Sequence, residues 1–272
     1  MKKLFTGALA LMAVGFTYAQ ANSDVTTQLG NNNDAVVNQT GWLNDNDLLQ
    51  DGNLNDATVD QSGWLNENDA ISMGNRNRID VDQVGIANYN STEQYGNRNR
   101  AKTDQDGWFN YVEQLQTGNR NRVEAEQDGI LNAAYQTQTG NRNRAYSTQD
   151  GLANFVQQDQ TGNRNEATAW QSGAFNEIYQ TQTGDRNMAD HAQDGNGNLV
   201  ISQQTGDDNE ALGWQNGDGN EIYHTQIGDR NYADDWQVGD NNMADITQTG
   251  TDHYHYGTQI GNGNSQTITQ SN

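Results

Sequence analysis

Four histidines, His191, His224, His253 and His255, are the residues of this chain best suited to metal binding or proton transfer. His253 and His255 stand two apart, a spacing that puts two imidazoles on one face of a strand, where they can share a metal ion. No third ligand lies at usable spacing, so the histidines are expected to fill a core. Asp-Gly-Asn-Gly-Asn at 194–198 has the composition of a calcium loop, but the Gly-rich nonapeptide period of calcium β-rolls is absent. The carboxylates are expected on an outward surface without a concave pocket, which leaves no Ser-His-Asp constellation. With no Cys there is no thiolate ligand, thiol nucleophile or disulfide. The expectation is a protein that is not an enzyme and has no catalytic residues, cofactor or metal.

The arginines are the other chemical candidates. All 11 fall at two kinds of position, Arg76, Arg98, Arg120, Arg142, Arg164, Arg186 and Arg230 in one and Arg78, Arg100, Arg122 and Arg144 in the other. Such a stripe could bind an anionic polysaccharide or nucleic acid. Asp80, Asp82, Asp104, Glu124 and Glu126 follow on the same segments and are expected to neutralise it by pairing. Outward Thr pairs at Thr137 and Thr139, Thr181 and Thr183, and Thr247 and Thr249 would suit ice, but Asp159 and Gln203 interrupt the row.

The elements that position these residues must be built from an unusual composition. Asp and Glu number 36 against 14 Lys and Arg, apolar residues make up 32%, Gly numbers 29, and Pro is absent. Low hydrophobicity with strong negative charge is the usual mark of disorder. The acidic balance also argues against nucleic acid as a primary partner, since phosphate binding needs clustered Lys and Arg. Zero Pro is the number that does not fit disorder; it points to a backbone that cannot spare an N–H. Residues 1–21 read as a secretory signal peptide, with Lys2 and Lys3 before an apolar run and Ala19-Gln20-Ala21 as cleavage site.

The remainder is one repeat. Gly recurs every 11 residues from Gly30 to Gly261 without insertion or deletion. Gln precedes each Gly by two positions, with Ser72 the one exception, and Asn follows each by three, with His253 the one exception. Among the central units the Gln column runs Gln94, Gln105, Gln116, Gln127, Gln138, Gln149, Gln160. The Asn column runs Asn99, Asn110, Asn121, Asn132, Asn143, Asn154, and the turn glycines are Gly96, Gly107, Gly118, Gly129, Gly140, Gly151. Asn, the residue five after Gly and Gln share one parity, which predicts one inward strand face. Each unit is expected to be a seven-residue strand and a four-residue turn, Gly supplying the positive φ of a tight arc.

Units alternate in type, Gly-Asn-Arg-Asn at 96–99 against Gly-Trp-Leu-Asn at 63–66, so two strands make a 22-residue rung. The fold class predicted is all-β, a β-solenoid of two facing parallel sheets over residues 22–272, with about 11 rungs on the Gly ladder 30–261. Small residues are expected to face long ones across the rung, Ala101 with Gln114, Ala145 with Gln158, Ala167 with Gln180 and Gly213 with Ile222. Stacked Gln and Asn are expected to hydrogen-bond amide to amide along the axis. Asn22 with Gln28, and Asn264 with Gln270, mark the terminal edges.

The pattern Gln-x-Gly-x-x-Asn-x-Ala-x-x-x-Gln, literal at Gln28 to Gln39, Gln94 to Gln105, Gln138 to Gln149 and Gln182 to Gln193, resembles the curlin repeat of curli, the bacterial extracellular amyloid fibre subunits. The resemblance spans about 22 to 270. It implies a secreted, self-assembling subunit of cell-surface fibres that serves biofilm matrix and adhesion. The partners implied are further copies of itself, a curli nucleator and an outer-membrane secretion channel; matrix polysaccharide is a further partner to consider. A nucleating minor subunit, or a non-polymerising ice-binding or adhesin solenoid, is the alternative. Curlins carry a short non-repeat segment between leader and repeats, which here is expected to be missing or merged into 22–28.

Overall fold

A computed structural model describes residues 21–272; the expected leader, apart from Ala21, lies outside the described residues. From β1 (Ser23–Asn31) and β2 (Asp34–Trp42) to β22 (Tyr254–Ile260) and β23 (Ser265–Ser271) the described chain forms 23 strands and no helix. Odd strands make a 12-stranded sheet and even strands an 11-stranded sheet. All pairings are parallel and keep a 22-residue offset, so that Gln127 lies opposite both Gln105 and Gln149. This is the predicted solenoid, built because the period leaves each strand one register in which Gln meets Gln and Gly meets Gly.

The boundaries differ from expectation. Most strands run nine residues rather than seven, beginning just after the Asn and continuing through Gly into the next residue, so that two residues rather than four break the strand. The reason lies in the backbone. Gly118 has φ near +120°, and a Cβ there would collide with the carbonyl oxygen of Gly140, one rung on. Only Gly lets the chain stay extended while strands pass so closely. The left-handed turn residue stands two positions after this Gly and is non-Gly in most rungs: Leu65, Arg98 and Leu131 have φ of 59°, 60° and 61°. Its N–H still joins the ladder, as Leu54 donates to the Asn31 carbonyl at 3.0 Å. A conformation that costs roughly 1–2 kcal/mol per residue is thus held by bonds to the neighbouring rung.

Inward parity is as predicted: in β3 (Asp45–Asn53), Asn46, Leu48 and Gln50 are all fully buried. Leu48, Val59, Ile79, Val156, Ile178, Val200 and Ile222 supply the apolar filling. At Gly213 the space of the absent side chain is taken by Ile222 Cδ1 from across the seam and, closer still, by His191 Cδ2 from the adjoining strand. Gln114, Gln158 and Gln180 likewise reach over to the carbonyls of Lys102, Tyr146 and Thr168, the residues that follow Ala101, Ala145 and Ala167.

Candidate functional site

The feature repeated in nearly every rung is the glutamine column. Nε2 of Gln94 donates to Gln116 Oε1 at 2.9 Å and to the Arg78 carbonyl at 3.0 Å, so one amide ties two rungs and both sheets. Gln116, Gln138 and Gln160 continue the odd column, and Gln105, Gln127 and Gln149 form the even one in the same way. All are buried, and the paired amides explain how so polar a core is tolerated.

The asparagines work differently from expectation. Asn99 takes no amide from the Asn one rung back; its backbone N–H donates to Asn77 Oδ1 at 3.0 Å, and its Nδ2 donates to the Gly118 carbonyl at 2.9 Å. Asn110, Asn121, Asn132, Asn143 and Asn154 repeat this, each closing the turn one rung on. Amide-to-amide bonding of this column begins only near Asn198, which donates to Asn176 Oδ1 at 3.1 Å.

The columns are polar, and their ends complement one another. Gln28 donates to Gln50 Oε1 at 2.8 Å, while its own Oε1 accepts nothing among the described residues. At the other end Gln270 receives the Gln248 amide at 2.8 Å, and its Nε2 donates only to the Tyr254 carbonyl, leaving one N–H to spare. Asn22 and Asn264 are half-buried and stand at the ends of the asparagine columns, Asn44 N–H donating to Asn22 Oδ1 at 3.1 Å and Asn264 N–H to Asn242 Oδ1 at 3.0 Å.

The histidines meet a residue that sequence reasoning passed over. Asp235 lies inward, is fully buried, and accepts from His224 Nε2 at 2.7 Å and His255 Nε2 at 3.1 Å. The expectation that carboxylates stay outward fails here. Counting seven from Gly228 puts Asp235 on the buried parity, the signal that would have found it. Burial alone would raise its pKa, but the two histidine hydrogen bonds and their charge hold it at about 2. His191 accepts from Gln180 Nε2 at 2.8 Å; burial, then the nearby His224, push its pKa well below 6.5. His253 is half-exposed and bonds the Thr249 carbonyl, so it does not join His255 in a pair. Among the described residues no group of three or more His, Asp and Glu is arranged to hold a metal ion.

The arginine stripe divides into two rows with different neighbours. Arg78, Arg122 and Arg144, at strand starts, pair with Asp80, Glu124 and Glu166, while Asp104, Glu124 and Glu126 gather around Lys102. The turn row is not neutralised as expected. Arg186 and Arg230 pair with Asp208 and Asp252, but Arg76, Arg98, Arg120, Arg142 and Arg164 have no carboxylate within 4.0 Å among the described residues. Their position at the turn edge takes them away from Asp80, Asp82, Asp104, Glu124 and Glu126, which stand on the flat sheet face.

The opposite turn edge is apolar: Trp42, Trp64, Trp108, Leu65, Phe109 and Phe175 are each more than half exposed, and Trp42 stacks on Trp64 at 5.9 Å. In the outward Thr rows Thr137 abuts Asp159 and Thr181 abuts Gln203, interrupted as the sequence indicates.

Comparison with known families gives the curlin associated repeat, matching residues 225–250 and 239–271. The ladder glycines of the matched stretch, Gly228, Gly239, Gly250 and Gly261, continue the register of the earlier rungs. No curated protein matches the chain.

Proposed function

We propose, on the premise that residues 225–271 carry the curlin associated repeat, that this chain is a structural subunit of a secreted, curli-type amyloid fibre. It assembles end to end outside the cell, for biofilm matrix and surface adhesion, and meets a nucleator and an outer-membrane channel on the way. The observation that carries this reading is the polarity of the glutamine columns: in the even sheet Gln39 Oε1 accepts nothing among the described residues and Gln259 Nε2, bonded only to the Met243 carbonyl, keeps a spare N–H, so one chain's end offers what another's start needs. Parallel edge strands with in-register amide columns are templates for further strands. The work is mechanical and calls for no catalytic centre.

Stacking has one geometric condition. β1 and β23 belong to the same sheet, so copies joined as they stand would add twelve strands to one sheet and eleven to the other. Leaving β1 outside the stack gives eleven and eleven. β1 suits that exclusion, because all its residues are exposed and Asp24 would bring a carboxylate to a buried position. Electron microscopy of the purified secreted chain after incubation tests the proposal: unbranched fibres are expected, and a persistently monomeric chain would overturn it.

A further inference from the structure

We propose that the row Arg76, Arg98, Arg120, Arg142 and Arg164 is a docking surface for a linear acidic polysaccharide that carries one carboxylate or sulfate per sugar. The row lies on a flank rather than an end, so the inference goes beyond fibre assembly and holds for a single chain as for a polymer.

These five side chains line a single groove of about 960 Å³ along one turn edge. Each sits at a left-handed turn position, φ 59° to 62°, which fixes one cation per rung in single file. None has a carboxylate within 4.0 Å among the described residues, although the fold has a ready means of neutralising this column. Asp208 stands one rung beyond Arg186 and Asp252 one beyond Arg230, and both pairs close, Nε to Oδ1, at 2.5 and 2.7 Å. Between Arg76 and Arg164 that means is not used. Like charges stacked rung on rung destabilise the strands that carry them, and a polymer laid along the row would relieve this repulsion.

Pitch and surroundings select the polymer. The cations repeat at the rung spacing, about 4.8 Å, in a straight line. Duplex DNA presents a charge about every 1.7 Å of axis on two strands that wind away from a line, whereas a linear acidic polysaccharide offers one charge per sugar along an extended chain. Beside the row runs a neutral ladder in which Asn75 Nδ2 donates to Asn97 Oδ1 at 2.9 Å and Asn97 to Asn119 at 3.0 Å. Each of these amides keeps a second N–H for a hydroxyl or ring oxygen. With 36 acidic residues on the whole chain against 14 basic, a polyanion is steered to this edge and repelled elsewhere.

Binding of labelled polygalacturonate to the full chain tests the assignment, with assembly followed separately by dye fluorescence so that a failure to polymerise is not mistaken for a failure to bind. Saturable binding that weakens with added salt is expected. Arg98→Gln with Arg120→Gln and Arg142→Gln should weaken it at least about tenfold, a loss of roughly one decade in Kd, whereas the three Lys substitutions should stay within a few-fold of the parent. Should the triple Gln variant misfold, Arg120→Asp decides: it sets a carboxylate over Arg98 as Asp208 stands over Arg186, and should also break binding. Arg144→Gln, outside the row and paired with Glu166, should leave binding intact. Parental affinity in the Gln or Asp variants, equal binding of neutral dextran, or tighter binding of duplex DNA would each overturn the proposal.

Discussion

Gln94 Oε1 and Ser72 Oγ, one rung apart in the same buried column, both lack a hydrogen-bond partner. At other rungs a Gln stands where Ser72 does and donates into the next Oε1. The serine hydroxyl is too short to reach, so the odd column is cut between Gln50 and Gln94. Ser72→Gln should reconnect it and stabilise the fold by about 1–3 kcal/mol, the usual cost of a buried polar group left unpaired. Denaturant unfolding of parent and variant measures this; no gain would mean that the columns add nothing to stability.

Glycines of two kinds should respond differently to the same change. A Cβ at Gly118 meets the Gly140 carbonyl, whereas at Gly197, φ 65°, nothing lies within 4 Å. Gly197→Ala should cost about 1–2 kcal/mol, the left-handed penalty alone, and Gly118→Ala several times as much. Equal losses in thermal unfolding would contradict the role given to close rung contact.

Acid should act on the histidine core in a defined direction. The folded pKa of His191 lies below its unfolded value, so its contribution is complete above about pH 6.5 and is lost as pH falls below that, by up to about 1.4 kcal/mol per unit. The groups around it are Gln180, His224 and Asp235. Asp235 is depressed, so its contribution lasts until pH falls through about 4 toward 2. Asp69, Asp82 and Asp190 are raised, chiefly by burial, and favour the fold on acidification. The readout is therefore a difference: between pH 7 and 5 the parent should lose stability relative to His191→Gln, whose amide can accept the same Gln180 bond. Parallel pH curves for the two proteins would refute this.

Deleting residues 22–32 removes β1 and leaves eleven strands in each sheet. Elongation measured by dye fluorescence should then be faster than in the parent. A slower rate would show that β1 is part of the growing interface.

Much of this fold is legible in the sequence, because a strict period leaves little freedom: Gly, Gln and Asn in step set the rungs, the register and the buried parity. What escaped depends on geometry within the unit. The left-handed residue is Leu65 or Arg98, types that carry no turn signal, since their strain is held by bonds from the next rung. Asp235 was grouped with the outward acids by its chemistry, although its position is inward. The pairing expected for the arginines is correct at Arg78 and Arg122 but fails at Arg98 and Arg120, because the flat sheet face and the turn edge are different surfaces.

The central claim, that growth runs through the solenoid ends, comes down to one backbone N–H. Met243 donates forward to the Asn264 carbonyl at 2.8 Å. Alternate residues of a parallel strand turn to opposite neighbours, so Thr267, two residues beyond the matching Ser265 in β23, points its N–H at the free edge. Pro is tolerated at such a position, and Thr267→Pro should fold while offering the next chain one bond fewer and a ring in its path. Parent seeds mixed with Thr267→Pro monomer should fail to elongate beyond a single addition, while Thr267→Val monomer extends them at the parental rate. Extension by the Pro variant at that same rate would contradict end-to-end growth.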